Sequence, residues 1–247
     1  STDVAVTCTR PPKGMQTCRT CDGGHCDYSV SYTEGSSIRG HFVEDRVWVA
    51  GADSRRHAVN ASFGCQTYES GLFYSQEADG ITGLSQSLTW GNTLFDSIRA
   101  DLKTPNIFSM CLGQEMGALV LGGSIPEVLK PNWIPYSGSA SYVVELADIR
   151  IDGVGVGESS STYRSTIIDS GTTFMYLPTG AYRKVLAKWQ SSCPWGACST
   201  RVVKGPFPDD YCYTATADEI ERFRRPSLHC ANGGAVDVRA ARAANLY

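Results

Sequence analysis

Apolar and polar residues alternate over short runs at Tyr28–Tyr32, His41–Val49, Ala58–Phe63, Ala118–Leu121, Tyr142–Ile151 and Thr166–Ile168, most of them bounded by Gly, Ser or Asp. Successive side chains of a strand point to opposite faces, so a period of two with turn residues at its ends predicts strands at these places. Two windows follow the helical period instead. Thr93–Leu102 sets Leu94, Ile98 and Leu102 on one face, and Gly180–Trp189 does the same with Tyr182, Val185, Leu186 and Trp189. Both are predicted as helices covering sheet edges. The Ser-rich stretch Glu158–Thr162 reads as a hairpin tip, and an alternation resumes with Val236 and Val238. The expected fold class is all-β.

Composition agrees. Scattered through the chain are 25 glycines, 11 prolines and 12 tyrosines, the punctuation of many short strands joined by turns. The 247 residues suffice for one large or two small domains, and a hydrophobic content of 42% is enough to bury a core. With 22 basic residues against 25 acidic ones the formal net charge is −3, which points to neither nucleic acid nor a membrane surface as a partner. No stretch reaches the roughly 18 apolar residues of a membrane span. Ser1 opens without a leader pattern, and Leu246-Tyr247 closes on an unfinished strand-like stretch, so the sequence is expected to continue at both ends.

Ten cysteines are many for this length, with Cys8, Cys18, Cys21 and Cys26 crowded near the start and Cys193, Cys198, Cys212 and Cys230 near the end. An oxidising, secretory compartment is the simplest explanation, and the first four are expected to pair among themselves. Cys18 and Cys21 have the spacing that could begin a zinc site or a redox pair, but no second spaced pair and no βαβ pattern accompany them. No metal and no cofactor are expected. Asn60-Ala61-Ser62 is a glycosylation sequon that fits secretion. His25, His41, His57 and His229 lack metal-ligand spacing and read as surface or turn residues.

The candidate chemistry lies in Ile167-Ile168-Asp169-Ser170-Gly171-Thr172-Thr173-Phe174, an acid at the end of an apolar strand followed by hydroxyls and a glycine. Gly171 permits close backbone approach, while Ser170 and Thr172 can donate hydrogen bonds to the Asp169 carboxylate. Taken alone, the stretch is also compatible with an ordinary Asp-Ser-Gly turn.

Further segments change that balance. Thr166–Pro178 resembles the second active-site loop of the pepsin-like aspartic peptidases. Val30-Ser31-Tyr32-Thr33-Glu34-Gly35-Ser36, followed by Ile38-Arg39-Gly40, resembles their flap, a β-hairpin whose Tyr closes over substrate. Ala78-Asp79-Gly80-Ile81-Thr82-Gly83-Leu84 is similar to the strand after it, with Thr82 where the family has an apolar residue. Leu119–Ser124, Trp133–Tyr136 and Tyr142–Val144 resemble the linking sheet and the entry to the second lobe. Within the family, the cysteine-rich start, the flap wording and Phe63-Gly64-Cys65 are most similar to the plasmepsin V group and next to the nepenthesins.

The resemblance implies a bilobal, all-β aspartic endopeptidase, with residues 1–112 as the rest of a first lobe lacking its first strands and 113–247 as a partial second lobe lacking its last. It implies Asp169 as a catalytic residue, Ser170 as support, and Tyr32, Gly35, Ser36, Gly171, Thr172 and Thr173 as substrate-binding positions; Glu34 is either a substrate contact or solvated. The substrate would be a polypeptide, the chain monomeric, and any membrane anchor would lie outside these residues. The location implied is the secretory pathway, whether endoplasmic reticulum, Golgi, vacuole or exterior; the plasmepsin V group implies cleavage of exported proteins at a short motif. Asp3, Asp22 and Asp27 precede the flap without the wording of a first catalytic loop, so that loop is expected before residue 1 and residues 1–247 alone are expected to be silent. The alternatives are a binding or inhibitory protein that lost one aspartate, which has no chemical need for an intact Asp169 loop, and a symmetric dimer using Asp169 twice, which the two distinct lobe patterns disfavour.

Overall fold

The computed structural model describes residues 4–33, 35–49, 58–86, 91–113, 116–123, 132–138, 140–163, 165–172, 174–191, 202–204, 211–213, 216 and 226–237. The chain forms two compact units, Ser1–Pro131 and Asn132–Tyr247. Both are built mainly of antiparallel strands, with two α-helices among the described residues.

The first unit is organised by strand pairing. Its sheet contains β1 (Val4–Ala5), β2 (Thr20–Asp22), β3 (His25–Ser31), β4 (Ser37–Trp48) and β5 (Ala58–Glu69). The order is β1-β4-β3-β2, with β5 also on β4. The twelve residues of β4 meet β5 from Ile38↔Glu69 to Trp48↔Ala58 on one edge, and β3 and β1 on the other. The register slips between Arg39 and Gly40. A Cβ at Gly40 would collide with the Cys65 carbonyl, so the close approach at this bulge admits only glycine.

The β2–β3 turn is Gly23-Gly24, with φ of 54° and 87°, the left-handed geometry that suits a two-residue hairpin. Disulfides Cys8–Cys21 and Cys18–Cys26 tie two points of the preceding segment to the two strands of this hairpin. The four thiols expected to pair with one another do so, which leaves none of them for zinc.

Helix α1 (Leu94–Leu102) covers β5 and is followed by the hairpin of β6 (Phe108–Leu112) and β7 (Gly117–Leu121). Thr93 Oγ1 accepts from the Asp96 N–H at 3.1 Å, while the Thr93 N–H donates to the Asp96 carboxylate at 3.0 Å, closing a capping box. The helix buries Phe95 and Ile98 over Val59 and Ala61 of β5, each large apolar side chain contributing about 2 kcal/mol. Leu94 and Leu102, expected on this face, are only half-buried. Phe95 takes the centre because it meets Phe108 edge to face, at 6.0 Å between centroids.

The second unit has a three-stranded sheet of β8 (Ser137–Gly138), β9 (Tyr142–Val144) and β12 (Thr166–Ile167), and a four-stranded one of β10 (Leu146–Ile151), β11 (Val154–Gly155), β15 (Pro226–Cys230) and β16 (Ala235–Asp237). The short pair β13 (Val202–Lys204) and β14 (Tyr211–Tyr213) stands beside them in sequence. The single run expected over Tyr142–Ile151 is thus broken at Glu145, whose carbonyl accepts from the Ala231 N–H at 3.0 Å. β9 pairs with β12 while β10 pairs with β15, and one straight strand could not serve both sheets.

Helix α2 (Thr179–Ser191) lays Ala181, Val185 and Trp189 on a core of Leu146, Ile149, Ile151, Val156 and Tyr163. Tyr182, expected on this face, is 47% exposed; the small Ala181 occupies the closest approach. Glu158–Thr162, expected as a hairpin tip, runs into a 3-10 helix at Ser160–Tyr163. Glu158 is held there by Lys184 of α2 at 2.6 Å and by the Thr162 hydroxyl at 2.8 Å. Cys193, Cys198 and Val238 lie outside the described residues.

Non-reducing peptide maps should recover the Cys8–Cys21 and Cys18–Cys26 links, and any other pairing among these four would contradict the hairpin geometry. Thr93→Ala should lower unfolding stability in urea by about 1 kcal/mol, the usual value of an N-cap. The hydrogen bonds from Lys184 and Thr162 hold the Glu158 carboxyl below its ordinary 4.5. The unfolded chain therefore binds this proton more readily, and the contribution is complete above 4.5 and lost as pH falls through the lower folded value. The stability gap between wild type and Glu158→Gln should accordingly narrow as denaturation is measured at progressively lower pH in that range.

Candidate active-site loop and flap

In the second unit the backbone reaches Asp169 from β12, and the Ile168 N–H still pairs with the Tyr142 carbonyl at 3.0 Å. The chain then turns. The Gly171 N–H donates to Asp169 Oδ1 at 2.9 Å and the Thr172 hydroxyl to Oδ2 at 2.6 Å, so each carboxylate oxygen is fixed by one short bond and the plane of the group is set. A Cβ at Gly171 would come to 3.3 Å from Oδ1, tight against the bond its own N–H makes. The hydroxyl that reaches the carboxylate is that of Thr172, while Ser170 is exposed at the turn. Thr173 lies outside the described residues. Ile167, Ile168, Phe174 and Tyr176 around the loop are all more than half exposed. Such a loop presents an anchored, solvent-accessible carboxylate able to accept a proton and to orient water.

In the first unit the turn between β3 and β4 carries Tyr32, Gly35 and Ser36. The Tyr32 N–H donates to the Ser36 carbonyl at 2.9 Å and the Gly35 N–H to the Tyr32 carbonyl at 3.0 Å; Gly35 has φ 98°, which a side-chain-bearing residue would adopt only with strain. Glu34 lies outside the described residues. The Tyr32 ring rests on Phe73, at 5.3 Å between centroids, in the 3-10 helix Gly71–Ser75. Ser36 is 2% exposed, and its hydroxyl accepts from the Leu72 N–H at 3.0 Å. Next to it, the Ser37 and Ser70 hydroxyls stand 2.9 Å apart, and the Ser70 N–H donates to the Ser37 carbonyl at 2.9 Å. Gly71, with φ 66°, packs so closely that a Cβ would fall 2.5 Å from Ser36 Oγ. The root of the hairpin is therefore clamped to the segment that carries Phe73.

Sequence reading did not single out Ser70, Leu72 or Phe73. Their pattern, a serine before Gly71-Leu72-Phe73-Tyr74, has no recognisable period; only the return of β5 to β4 brings them beside the flap. Below the hairpin, burial pushes the Tyr28 phenol up from its ordinary value, with Cys65 and Tyr32 adding to the shift. Tyr28 therefore stays protonated while its ring covers Gly64, where a Cβ would meet it at 2.5 Å. Among the described residues no cluster of three His, Cys, Asp or Glu could hold a metal ion, and no helix is long and apolar enough to cross a membrane.

Comparison with known proteins bears on both elements. The family model described as eukaryotic aspartyl protease matches residues 16–202. Among the relatives, aspartic proteinase 36 of Arabidopsis thaliana is 29% identical over 216 residues, 83% of this chain and 43% of that protein. Aspartic protease 5 of Toxoplasma gondii is 27% identical over 188 residues, 60% of this chain and 19% of that protein. Plasmepsin V of Plasmodium falciparum is 31% identical over 116 residues, 45% of this chain and 19% of that protein. The chain thus spans less than half the length of each of these relatives. With the family model covering most of its residues, and with an Asp-Ser-Gly-Thr loop and a Tyr-bearing hairpin within the matched span, the chain belongs to the eukaryotic aspartyl protease family.

Proposed function

We propose that this chain supplies one of the two catalytic carboxylates, and the flap, of an aspartic endopeptidase that hydrolyses polypeptides in an oxidising, secretory compartment. The observation that carries the proposal is the Asp169 carboxylate, anchored at both oxygens by Gly171 and Thr172 in an exposed loop at a strand end. The Gly171 bond alone is that of an ordinary Asx-turn; the Thr172 hydroxyl on the second oxygen and the family match over residues 16–202 favour the catalytic reading.

Peptide hydrolysis of this kind needs a second carboxylate close enough to share a proton with the first, because two like charges so near each other do not both ionise. The ionised member takes a proton from water as the oxygen attacks the peptide carbonyl, and the protonated member donates to the carbonyl oxygen. The titration then belongs to the pair. The partner of Asp169 is assigned to sequence beyond these 247 residues, a reading supported by the small share of the relatives that the chain covers. Tyr32 and Gly35 at the flap tip, with Gly171, Thr172 and Thr173, are the positions that would meet the peptide. Ser36, buried with its hydroxyl bonded to Leu72, acts through the flap root. The Cys8–Cys21 and Cys18–Cys26 bonds support the compartment.

The test uses the full open reading frame and a quenched peptide library. Hydrolysis with a bell-shaped pH profile is expected, and Asp169→Asn should reduce kcat by at least about a thousandfold, since an amide neither accepts the water's proton nor shares one with a partner. Tyr32→Ala should cost less, because the flap positions substrate without entering proton transfer. Residues 1–247 alone should show no hydrolysis; activity in that piece, or in Asp169→Asn, would place the chemistry elsewhere.

Ser36→Ala and Ser70→Ala should each raise KM more than they lower kcat, and should speed amide exchange at residues 31–37 with no substrate present. An unchanged exchange rate in both would show that the serine clamp does not hold the flap.

A further inference from the structure

The sequon Asn60-Ala61-Ser62 takes no part in the chemistry above, yet the fold gives it a defined setting. Val59 and Ala61 are 1% and 3% exposed, covered by α1, and the strand period of two sends Asn60 and Ser62 to the opposite face. There the Asn60 side chain is exposed. On β4 its direct partner is Arg46, with Trp48 opposite Ala58 and Glu44 opposite Ser62, so these side chains share one face. The Asn60 N–H points away from β4 to the Asp101 carboxylate at 3.3 Å. Arg46 and Asn60 therefore form a non-hydrogen-bonded pair, the kind whose side chains approach most closely.

Beside this pair lies an exposed indole. Trp48 is 55% exposed, and the Arg46 guanidinium stands over its ring at 5.7 Å from the centroid. A single exposed indole is ordinary on a protein surface; what distinguishes this one is its place beside the Asn60 side chain with a guanidinium over its ring. A pyranose ring matches it, with a face of C–H groups for the indole and hydroxyls for the guanidinium. Both disulfides of the same unit belong to the oxidising compartment in which oligosaccharide is transferred to asparagine.

We propose that Asn60 is an N-glycosylation site whose first N-acetylglucosamine packs on the shelf formed by Trp48 and Arg46. In the transfer, Asn60 Nδ2 attacks C1 of the reducing-end sugar of a lipid pyrophosphate-linked oligosaccharide. The N–C1 bond forms and the C1–O bond breaks, its electron pair leaving with the lipid pyrophosphate. Nδ2 loses one proton, and no redox change occurs. The Ser62 hydroxyl, on the same face, supplies the third position that the transferase reads. Among the described strands β5 pairs only with β4, so a glycan at Asn60 also obstructs edge-to-edge pairing of this sheet with another chain.

The experiment expresses the full-length protein through a eukaryotic secretory pathway, releases N-glycans enzymatically in heavy-oxygen water, and reads the peptide containing Asn60 by mass spectrometry. The expected result is labelled aspartate at position 60 in most molecules, lost in Asn60→Gln and Ser62→Ala and kept in Ser62→Thr. An unlabelled Asn60 in the wild type overturns the site, whether or not Cys8–Cys21 has formed. Neither readout depends on proteolytic activity. For the shelf, glycan release should lower Tm by about 2 °C in the wild type, and by less than half of that in Trp48→Ala. An equal drop in both would refute the sugar–indole contact while leaving the site in place.

Discussion

The first unit depends on the backbone pairing of β4 along both of its edges. A strand of this length carries a donor and an acceptor at every residue, and those withdrawn from water must be matched. β5 matches one edge, while β3 and β1 divide the other. That pairing fixes what each neighbouring position can do. It brings Ser70 and Leu72 against Ser36 and Ser37, so that the flap root is held by side chains far apart in sequence. It carries the disulfide-tied β2–β3 hairpin on β3, and it turns one face of β5 to α1 and leaves Asn60 on the other. The bulge at Gly40 belongs to the same ladder, since the two strands approach too closely there for a side chain.

The Asp169 loop has a different origin. Its two decisive hydrogen bonds span two and three residues, so they close with little loop entropy and need only the end of β12 to hold the strand beneath them. The carboxylate is thereby fixed before anything binds, and preorganisation of that kind lets a charged group act on water without reorganising at the moment of reaction. The price is an exposed, apolar-rimmed loop, with Ile168 at 57% and Phe174 at 52%. Loop formation is local, whereas the chemistry proposed for Asp169 would need a second carboxylate brought by long-range structure. The geometry of Asp169 and its reactivity are thus separate matters.

The flap combines both modes. Its tip closes through short-range bonds between Tyr32, Gly35 and Ser36. Its root is tied to Ser70–Leu72, and the Tyr32 ring is supported by Phe73. Local bonds thus set the tip of this hairpin, and long-range bonds set its root.

The fold class was legible in the sequence because strand alternation and turn residues are local signals. The period of two over His41–Val49 and Ala58–Phe63 marked β4 and β5, and the Ile-Ile-Asp-Ser-Gly-Thr wording marked the Asp169 loop, whose hydrogen bonds are themselves local. The cysteine cluster announced bonding among Cys8, Cys18, Cys21 and Cys26, but which thiol joined which was decided by the fold, which sets Cys21 opposite Cys26 on the β2–β3 hairpin and brings Cys8 to the first and Cys18 to the second. The break of the Tyr142–Ile151 run at Glu145, the choice of Ala181 over Tyr182 at the α2 contact, and the burial of Ser36 were likewise settled by what lies across from each residue. Periodicity records which way a side chain points relative to its own strand or helix. It carries no information about the surface that arrives opposite, and that surface determined the serine clamp under the flap and the open face around Asn60.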